Sequence, residues 1–286
     1  MAQKLYVIGN GFDLYHSLDT KYESFGCFLQ KHHNDIYKLL IATCPLSSSS
    51  QWSDFESALG EFEAEEVWDR VRNYMNDYEP ERSGEASWEA ERIIDDLTSG
   101  LRKAFKDFIL KVEYPESISD KKLNVDKNAH YLSFNYTDTL EHYYGVDRSH
   151  ILYIHNKAEV GSEYDLILGH DISEDSQSSP PIQEPEGLTP EQHEIWMDEM
   201  SDQYSWSAEL AEEEISRYYE RSFKPVEQVI GKNKDFFAAL ANVNEILVMG
   251  HSLSEVDDAY FYEIIKNINS RNVRWKISYY EDIDDA

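Results

Sequence analysis

One stretch near the start, Leu5-Tyr6-Val7-Ile8-Gly9-Asn10-Gly11-Phe12-Asp13, constrains the fold more than any other. Leu5 to Ile8 are apolar, largely β-branched or aromatic, and do not alternate with polar residues. They predict a short strand covered on both faces. Gly9 and Gly11 let the backbone turn sharply and approach another group with no Cβ in the way. A helix follows, with Asp13 or Ser17 near its start, and free backbone N–H groups there suit a phosphate. Leu14 stands where a dinucleotide fingerprint carries its third glycine, so the motif reads equally as a nucleotide loop or a plain turn.

The rest of the chain says what kind of sheet this strand joins. Tyr22, Phe25, Phe28 and Leu29, then Ile36, Leu39 and Leu40, keep a helical rhythm over residues 20–42. Trp52, Phe55, Leu59 and Phe62 repeat on one helical face, with Ser53 and Glu56 in a capping-box pattern. Trp68, Val71 and Met75 continue that face, and a further amphipathic helix runs from Trp88 to Leu110. A simple crossover needs one helix, so residues 51–112 are expected to form an inserted helical subdomain. Strands are expected at Ala129–Phe134, Ile151–His155, Asp165–Leu168, Glu245–Met249 and Val273–Tyr280. A short helix is expected at Asp138–Tyr144. Another, at Asp257–Ile268, would bury Tyr260, Phe261, Ile264, Ile265 and Ile268. This order predicts one α/β domain over 1–286: a three-layer, Rossmann-like, mainly parallel sheet with right-handed crossovers. Its core would be 1–45, 125–170 and 235–286, interrupted by the helical insertion and by an acidic surface insertion at 171–230.

Charge narrows the function. The formal net charge is −30, which disfavours DNA, RNA or an anionic membrane as partner, because phosphate affinity depends on Lys and Arg. Residues 171–216 hold 14 Asp or Glu and no Lys or Arg, with Pro180, Pro181, Pro185 and Pro190. They read as a solvated face or lid, part loop and part acidic helix. The two cysteines, Cys27 and Cys44, have no zinc or CxxC spacing and read as structural thiols. No apolar run is long enough for a membrane span, and no signal peptide precedes the first strand, so a soluble cytoplasmic protein is expected.

In open α/β sheets, ligands sit beyond the carboxyl ends of the strands. Read that way, the chain offers Gly9-Asn10-Gly11-Phe12-Asp13, then Asn135-Tyr136-Thr137-Asp138, then His155-Asn156, then Gly250-His251-Ser252 with Asp257 beyond. Gly169-His170-Asp171 is a possible fifth set. Polar groups that end several strands of one sheet converge on one crevice, and that carries more weight than any single motif.

These residues also resemble a family. Ile8-Gly9-Asn10-Gly11-Phe12-Asp13-Leu14, Trp52 to Glu56, Leu132-Ser133-Phe134-Asn135-Tyr136-Thr137-Asp138-Thr139-Leu140-Glu141 and Gly250-His251-Ser252-Leu253 with Asp257 look like the AbiH family of bacterial abortive-infection proteins. More distantly, their order resembles Sir2-like domains of bacterial defence proteins, which bind NAD. That likeness implies a phage-defence protein that binds NAD and hydrolyses it to nicotinamide and ADP-ribose, with no other cofactor required. Gly9, Asn10, Gly11, Phe12 and Asp13 would line the dinucleotide, with Tyr136, Gly250, His251 and Ser252. Asn135 would hold the nicotinamide ribose or water, and His155 would be the catalytic histidine. Asn156 and Thr137 stand where Sir2-like domains show Gly and Asp. The chain has no zinc-binding cysteine set, which argues against deacetylation. A homo-oligomer or a partner defence protein is implied as well.

The chemistry is coherent without metal. Breaking the nicotinamide–ribose bond passes through an oxocarbenium-like state. It needs an oriented ribose and a polar group for it or for water, which a His near neutrality and an Asn amide can supply. Bland roles stand beside these: His155 as a satisfied structural histidine, Asn135 as the cap of the Asp138 helix. One rival has Asp13, His16, His170, Asp171, His251 and Asp257 holding a divalent metal for phosphodiester hydrolysis. Another makes the site non-enzymatic, a metabolite sensor whose helical block and acidic insertion recognise a phage or host protein.

Overall fold

In the computed structural model the first strand, β1 (Gln3–Ile8), is the centre of the sheet. Residues 3–75, 84–162, 165–172, 189, 206–269, 271 and 273–278 are described. Four more strands are β2 (His130–Ser133), β3 (Ile151–Tyr153), β4 (Val243–Met249) and β5 (Arg274–Ile277). Their order is β3-β2-β1-β4-β5, and every pairing is parallel. The chain moves outward from β1 through β2 to β3, then crosses back to β4 and β5. The strand order therefore reverses at β1, and a crevice opens at the carboxyl end of such a reversal.

β1 is buried on both faces. Leu5 and Val7 join Leu132, Ile246, Val248, Tyr260 and Ile264 on one side. Tyr6 and Ile8 join Phe12, Tyr131, Leu140, Tyr144 and Ile151 on the other. The two cores make the layers of a three-layer α/β sandwich.

The helical block forms a third core. Helices Tyr22–His32, Asn34–Thr43, Phe55–Gly60, Glu85–Asp95 and Leu101–Leu110 share one apolar cluster, centred on Phe25, Phe55, Ile94 and Phe105. Trp52, Phe55, Leu59 and Phe62 are all buried, as their spacing predicts. A single π-helical turn, Asp96–Gly100, joins the last two helices.

Several local expectations are corrected. The capping box is made by Ser48 and Gln51, not Ser53 and Glu56, because the helix Ser49–Ser53 ends at Asp54 and a new one begins at Phe55. The helix after the glycine turn begins at Asn10; Asp13 lies in its first turn, while Ser17 lies beyond its end at φ 67°. Residues 165–168 are not a strand, although Leu166 and Leu168 are buried and Ile167 N donates to His155 O at 2.9 Å. In helix Asp258–Asn267, Tyr260 and Ile264 are buried, but Ile265 is 49% exposed and Phe261 only half-buried.

Most of the acidic segment, 173–188 and 190–205, lies outside the described residues, as do 279–280 of the last expected strand. Its carboxyl end is not a free surface element. Helix Trp206–Ser222 packs on Glu85–Asp95, with Ala211, Ile215 and Tyr218 in the helical-block core.

Candidate functional site

The glycine motif is a clasp between two strand ends. Gly9 N donates to Met249 O (3.0 Å), Gly11 N to Gly250 O (2.7 Å) and Phe12 N back to Gly9 O (2.9 Å). A Cβ on Gly9 would lie 2.5 Å from His251 Cα, and one on Gly11 2.8 Å from Gly250 Cα. The close approach read from the glycines is thus made by the chain's own backbone. The N–H groups of Gly9, Gly11 and Phe12, expected free for a phosphate, are engaged within the chain. Asn10 is exposed and ties its side chain to Thr20, accepting from Thr20 Oγ1 (2.5 Å) and donating to Thr20 O (3.2 Å). Ser252 is exposed in the loop after β4.

Asp13 is buried and holds the β1 loop to the β2 loop. Thr137 Oγ1 donates to one carboxyl oxygen (2.6 Å) and Thr139 Oγ1 to the other (2.7 Å). Burial pushes the Asp13 carboxyl up to about 6, against those hydroxyls. A carboxyl bound more tightly by its proton in the fold than in the open chain stabilises most at low pH. That contribution is lost as pH rises from about 4 to about 6, roughly 3 kcal/mol in all. Asp13→Asn removes it. The stability of the wild type relative to this variant is expected to fall by about 1 kcal/mol between about pH 5 and about pH 7 in urea unfolding. An unchanged difference would mean that the carboxyl is not desolvated.

The strand ends deliver the rest. Asn135 follows β2 and is buried; it lies close enough to Asp13 to draw that carboxyl down, yet neither its amide nitrogen nor its amide oxygen makes a well-formed hydrogen bond. It does not cap the next helix: Thr139–Tyr144 is preceded by Asp138 with no side-chain cap. His155 follows β3, 3% exposed, with Phe134, Tyr136 and Tyr260 rings around it at centroid distances of 5.3, 5.9 and 5.8 Å. Its Nε2 has no close hydrogen-bond partner, the Asp257 carboxylate standing 3.5 Å off, and the buried Tyr260 hydroxyl has none. Among the described residues the remaining orphan of this kind is one oxygen of Glu214; the His155 and Tyr260 rings lie 5.8 Å apart, and Asn135 stands in the chain between Phe134 and Tyr136, whose rings flank His155. Buried polar groups are nearly always satisfied, and each exception costs about 1–3 kcal/mol. A concentration of them at the strand ends marks a place for polar atoms from outside the chain.

Asp257 organises the charged part. Its Oδ1 lies 3.5 Å from His155 Nε2 and its Oδ2 3.4 Å from His251 Nε2. Leu253 N donates to His251 Nδ1 (2.9 Å), which places the His251 proton on Nε2, facing the carboxylate. Lys224, 1% exposed, donates to Asp257 Oδ1 (2.8 Å) and to Glu56 Oε2 (2.7 Å). Glu56 Oε1 accepts from Tyr22 (2.9 Å) and, at 3.5 Å, from Tyr136, whose hydroxyl donates more closely to Ile167 O (2.8 Å).

The electrostatics follow. Burial works against the Lys224 charge, but Glu56 and Asp257 outweigh it and hold the ammonium on. Burial likewise raises Asp257, yet its contacts with His155 and His251 and the Lys224 charge keep it far below the usual carboxylate range. Burial, then the Lys224 charge, lowers His155, with Asp257 opposing, so the imidazole is neutral near pH 7. Two carboxylates against one ammonium leave one negative charge over.

The proposed metal set does not assemble. His16 is bound by Phe12 O and Tyr144 OH, both at 2.6 Å. His170 is tied into the backbone: Ile172 N donates to its Nδ1 (3.2 Å), leaving Nε2 to donate to Ser222 Oγ (2.9 Å). Among the described residues no group of three or more His, Cys, Asp or Glu could hold a metal ion. Cys44 is buried with its thiol pushed up to about 11, and Cys27 is exposed. A cavity of 240 Å³ lies in the helical block, lined in part by Glu23, Gly26, Cys27 and Trp52, and shares no residue with the strand-end cluster. No helix among the described residues is long and apolar enough to cross a membrane.

Sequence reasoning found Asn135, His155, His251 and Asp257 but missed Lys224 and assigned Glu56 to a cap. A family model described as bacteriophage abortive infection AbiH matches residues 5–279. No curated protein and no solved structure matches the chain. The likeness to Sir2-like domains gains nothing from these comparisons.

Proposed function

The chain belongs to the AbiH family of bacteriophage abortive infection proteins, and from that premise we propose that it defends its host by binding NAD and cleaving it to nicotinamide and ADP-ribose. The observation that carries this reading is the set of unpartnered buried atoms on Asn135 and His155, which follow β2 and β3, and on Tyr260, on the helix after β4. The family match supports the defence role; the NAD chemistry is argued from the residues.

Each group has a task in that reaction. The Asn135 amide has a free donor and a free acceptor, which suit a ribose hydroxyl or the attacking water. The glycosidic C–N bond breaks with its electron pair going to the nicotinamide, which leaves neutral. The ribose carbon becomes cationic, and the residual negative charge of the Glu56–Lys224–Asp257 cluster favours it. Water adds to that carbon, and neutral His155 takes its proton at Nε2, with Asp257 beside it to stabilise the imidazolium. Asn10 and Ser252, polar and exposed on the adjoining loops, would contact the rest of the dinucleotide.

Purified protein incubated with NAD is expected to release nicotinamide at the same rate with and without EDTA, followed by chromatography. Release abolished by EDTA would move the chemistry to a metal. No release, joined to no NAD binding by calorimetry, would overturn the reading.

A further inference from the structure

The part of the site that no strand end delivers is Lys224. It enters at the point where the acidic segment returns to His170. His170 N donates to Ser222 O (3.2 Å) and Lys224 N to His170 O (2.8 Å), a parallel bridge that closes the segment on itself. The closure depends on Gly169, where a Cβ would lie 1.9 Å from Ser222 O. Two residues after that oxygen, the Lys224 side chain runs into the interior and ends between two carboxylates that belong to different parts of the fold. Glu56 comes from the helical block and Asp257 from the β4 side.

A buried ammonium in this position does more than balance charge. Asp257 has two oxygens and three cationic or potentially cationic neighbours: Lys224, His155 and His251. Lys224 takes Oδ1 at 2.8 Å, the oxygen that also faces His155 at 3.5 Å, so its grip sets how far the carboxylate leans towards the imidazole. We propose that Lys224 is a positioning residue: by holding Asp257 Oδ1 at 2.8 Å it keeps that carboxylate from closing on His155 Nε2, 3.5 Å away. The role rests on the proposed chemistry at His155, since positioning matters only if His155 acts.

The groups facing this cluster are Tyr22 and Tyr136 on Glu56, and His155, His251 and the Tyr260 ring on the Asp257 side. The tyrosine hydroxyls are held protonated by burial, above all, and by the nearby carboxylates, which leaves His155 as the site where a lost lysine charge is read.

Two variants separate positioning from charge balance. Lys224→Met keeps the length and removes the charge, leaving two buried carboxylates with no cation. Lys224→Met with Glu56→Gln restores the original net charge, but leaves Asp257 ungripped. The probe is the titration of His155 in the full chain, by NMR of labelled histidine, with nicotinamide release from NAD as the second readout. The expected result is a His155 midpoint at least about one pH unit higher in both variants, with the double variant as stable as the wild type and its turnover at neutral pH at least about tenfold lower. A midpoint and turnover restored to wild-type values in the double variant would overturn the role, making Lys224 a counter-ion only. Failure of both variants to fold would overturn it too, in favour of a structural role. The NAD reading fails separately: a wild type that does not cleave NAD, with His155 midpoints still raised in the variants, leaves the positioning of His155 standing and removes only the substrate.

Discussion

His155→Ala is expected to lose nicotinamide release from NAD by at least about a hundredfold while keeping its fold. The loss follows from what the imidazole alone offers at the strand ends. It is neutral near pH 7, its Nε2 is buried, and the Asp257 carboxylate stands 3.5 Å from that same nitrogen to take up the developing charge. No neighbour can replace it. Tyr136 and Tyr260 keep their protons far above neutrality, Lys224 is committed to two carboxylates, and the His251 Nε2 proton points at Asp257. The fold should survive because the removed group carries an orphaned polar atom. The cavity left among Phe134, Tyr136 and Tyr260 costs packing, but a buried acceptor that had no bond is no longer desolvated, a saving of about 1–3 kcal/mol. The check is a single preparation assayed for turnover and thermal unfolding. Turnover within about tenfold of wild type in a folded variant would remove His155 from the chemistry; Asn135→Ala would then be the next test.

The residues predicted for the site divide by how the chain delivers them. Asn135, His155 and His251 were legible because each follows an apolar run, and a strand's carboxyl end can be read from the run alone. Glu56 was hidden by its spacing: three residues after Ser53, before a hydrophobic face, it has the pattern of a capping box. The helix break at Asp54 that frees its side chain has no strong sequence signal, since Asp suits both caps and helix starts. Lys224 was hidden because nothing local buries it. It follows a helix end at Ser222, precedes Pro225, and becomes interior only because Gly169 lets Ser222 O approach from across the fold. A lysine's sequence context says little about burial, as lysine is almost never fully buried unless paired. Its partners here are 168 and 33 residues away.

Two departures from the Sir2-like pattern have local physical readings. Asn156, where those domains show Gly, adopts φ 65°, a left-handed conformation that Asn tolerates better than other residues with a side chain. Its side chain donates to Asp165 O at 2.7 Å, so the turn after β3 keeps its shape without glycine. Thr137, where they show Asp, donates its hydroxyl to Asp13. The parallel order was legible because strands alternating with helices leave few alternatives. The packing of helix Trp206–Ser222 into the helical core was not, because its strongly acidic sequence masks a narrow apolar stripe.

Gly250→Ala is expected to destabilise the protein by at least about 3 kcal/mol, among the larger effects a single methyl group can have. Two costs add. Gly250 sits at φ 64°, where a residue with a Cβ is disfavoured by about 1–2 kcal/mol. The new Cβ would also lie 2.2 Å from Phe12 N and 2.4 Å from Gly11 C, both backbone atoms that no rotamer can move. Relieving the overlap means parting the β1 and β4 loops and breaking the Gly11 N to Gly250 O bond of 2.7 Å. Gly231 is the internal control: it lies in helix Val226–Lys232 with nothing within 4 Å of its would-be Cβ. Gly231→Ala should therefore be neutral or stabilising by up to about 1 kcal/mol. Urea unfolding of both variants without ligand decides what the glycine motif is for. If the glycines make room for a dinucleotide, Gly250→Ala keeps its stability and loses only NAD binding. If they clasp two strand ends, it loses stability with no nucleotide present. The second outcome would also explain how the chain carries two of the three fingerprint glycines. Gly9 and Gly11 meet the loop after β4 directly, and position 14 carries leucine.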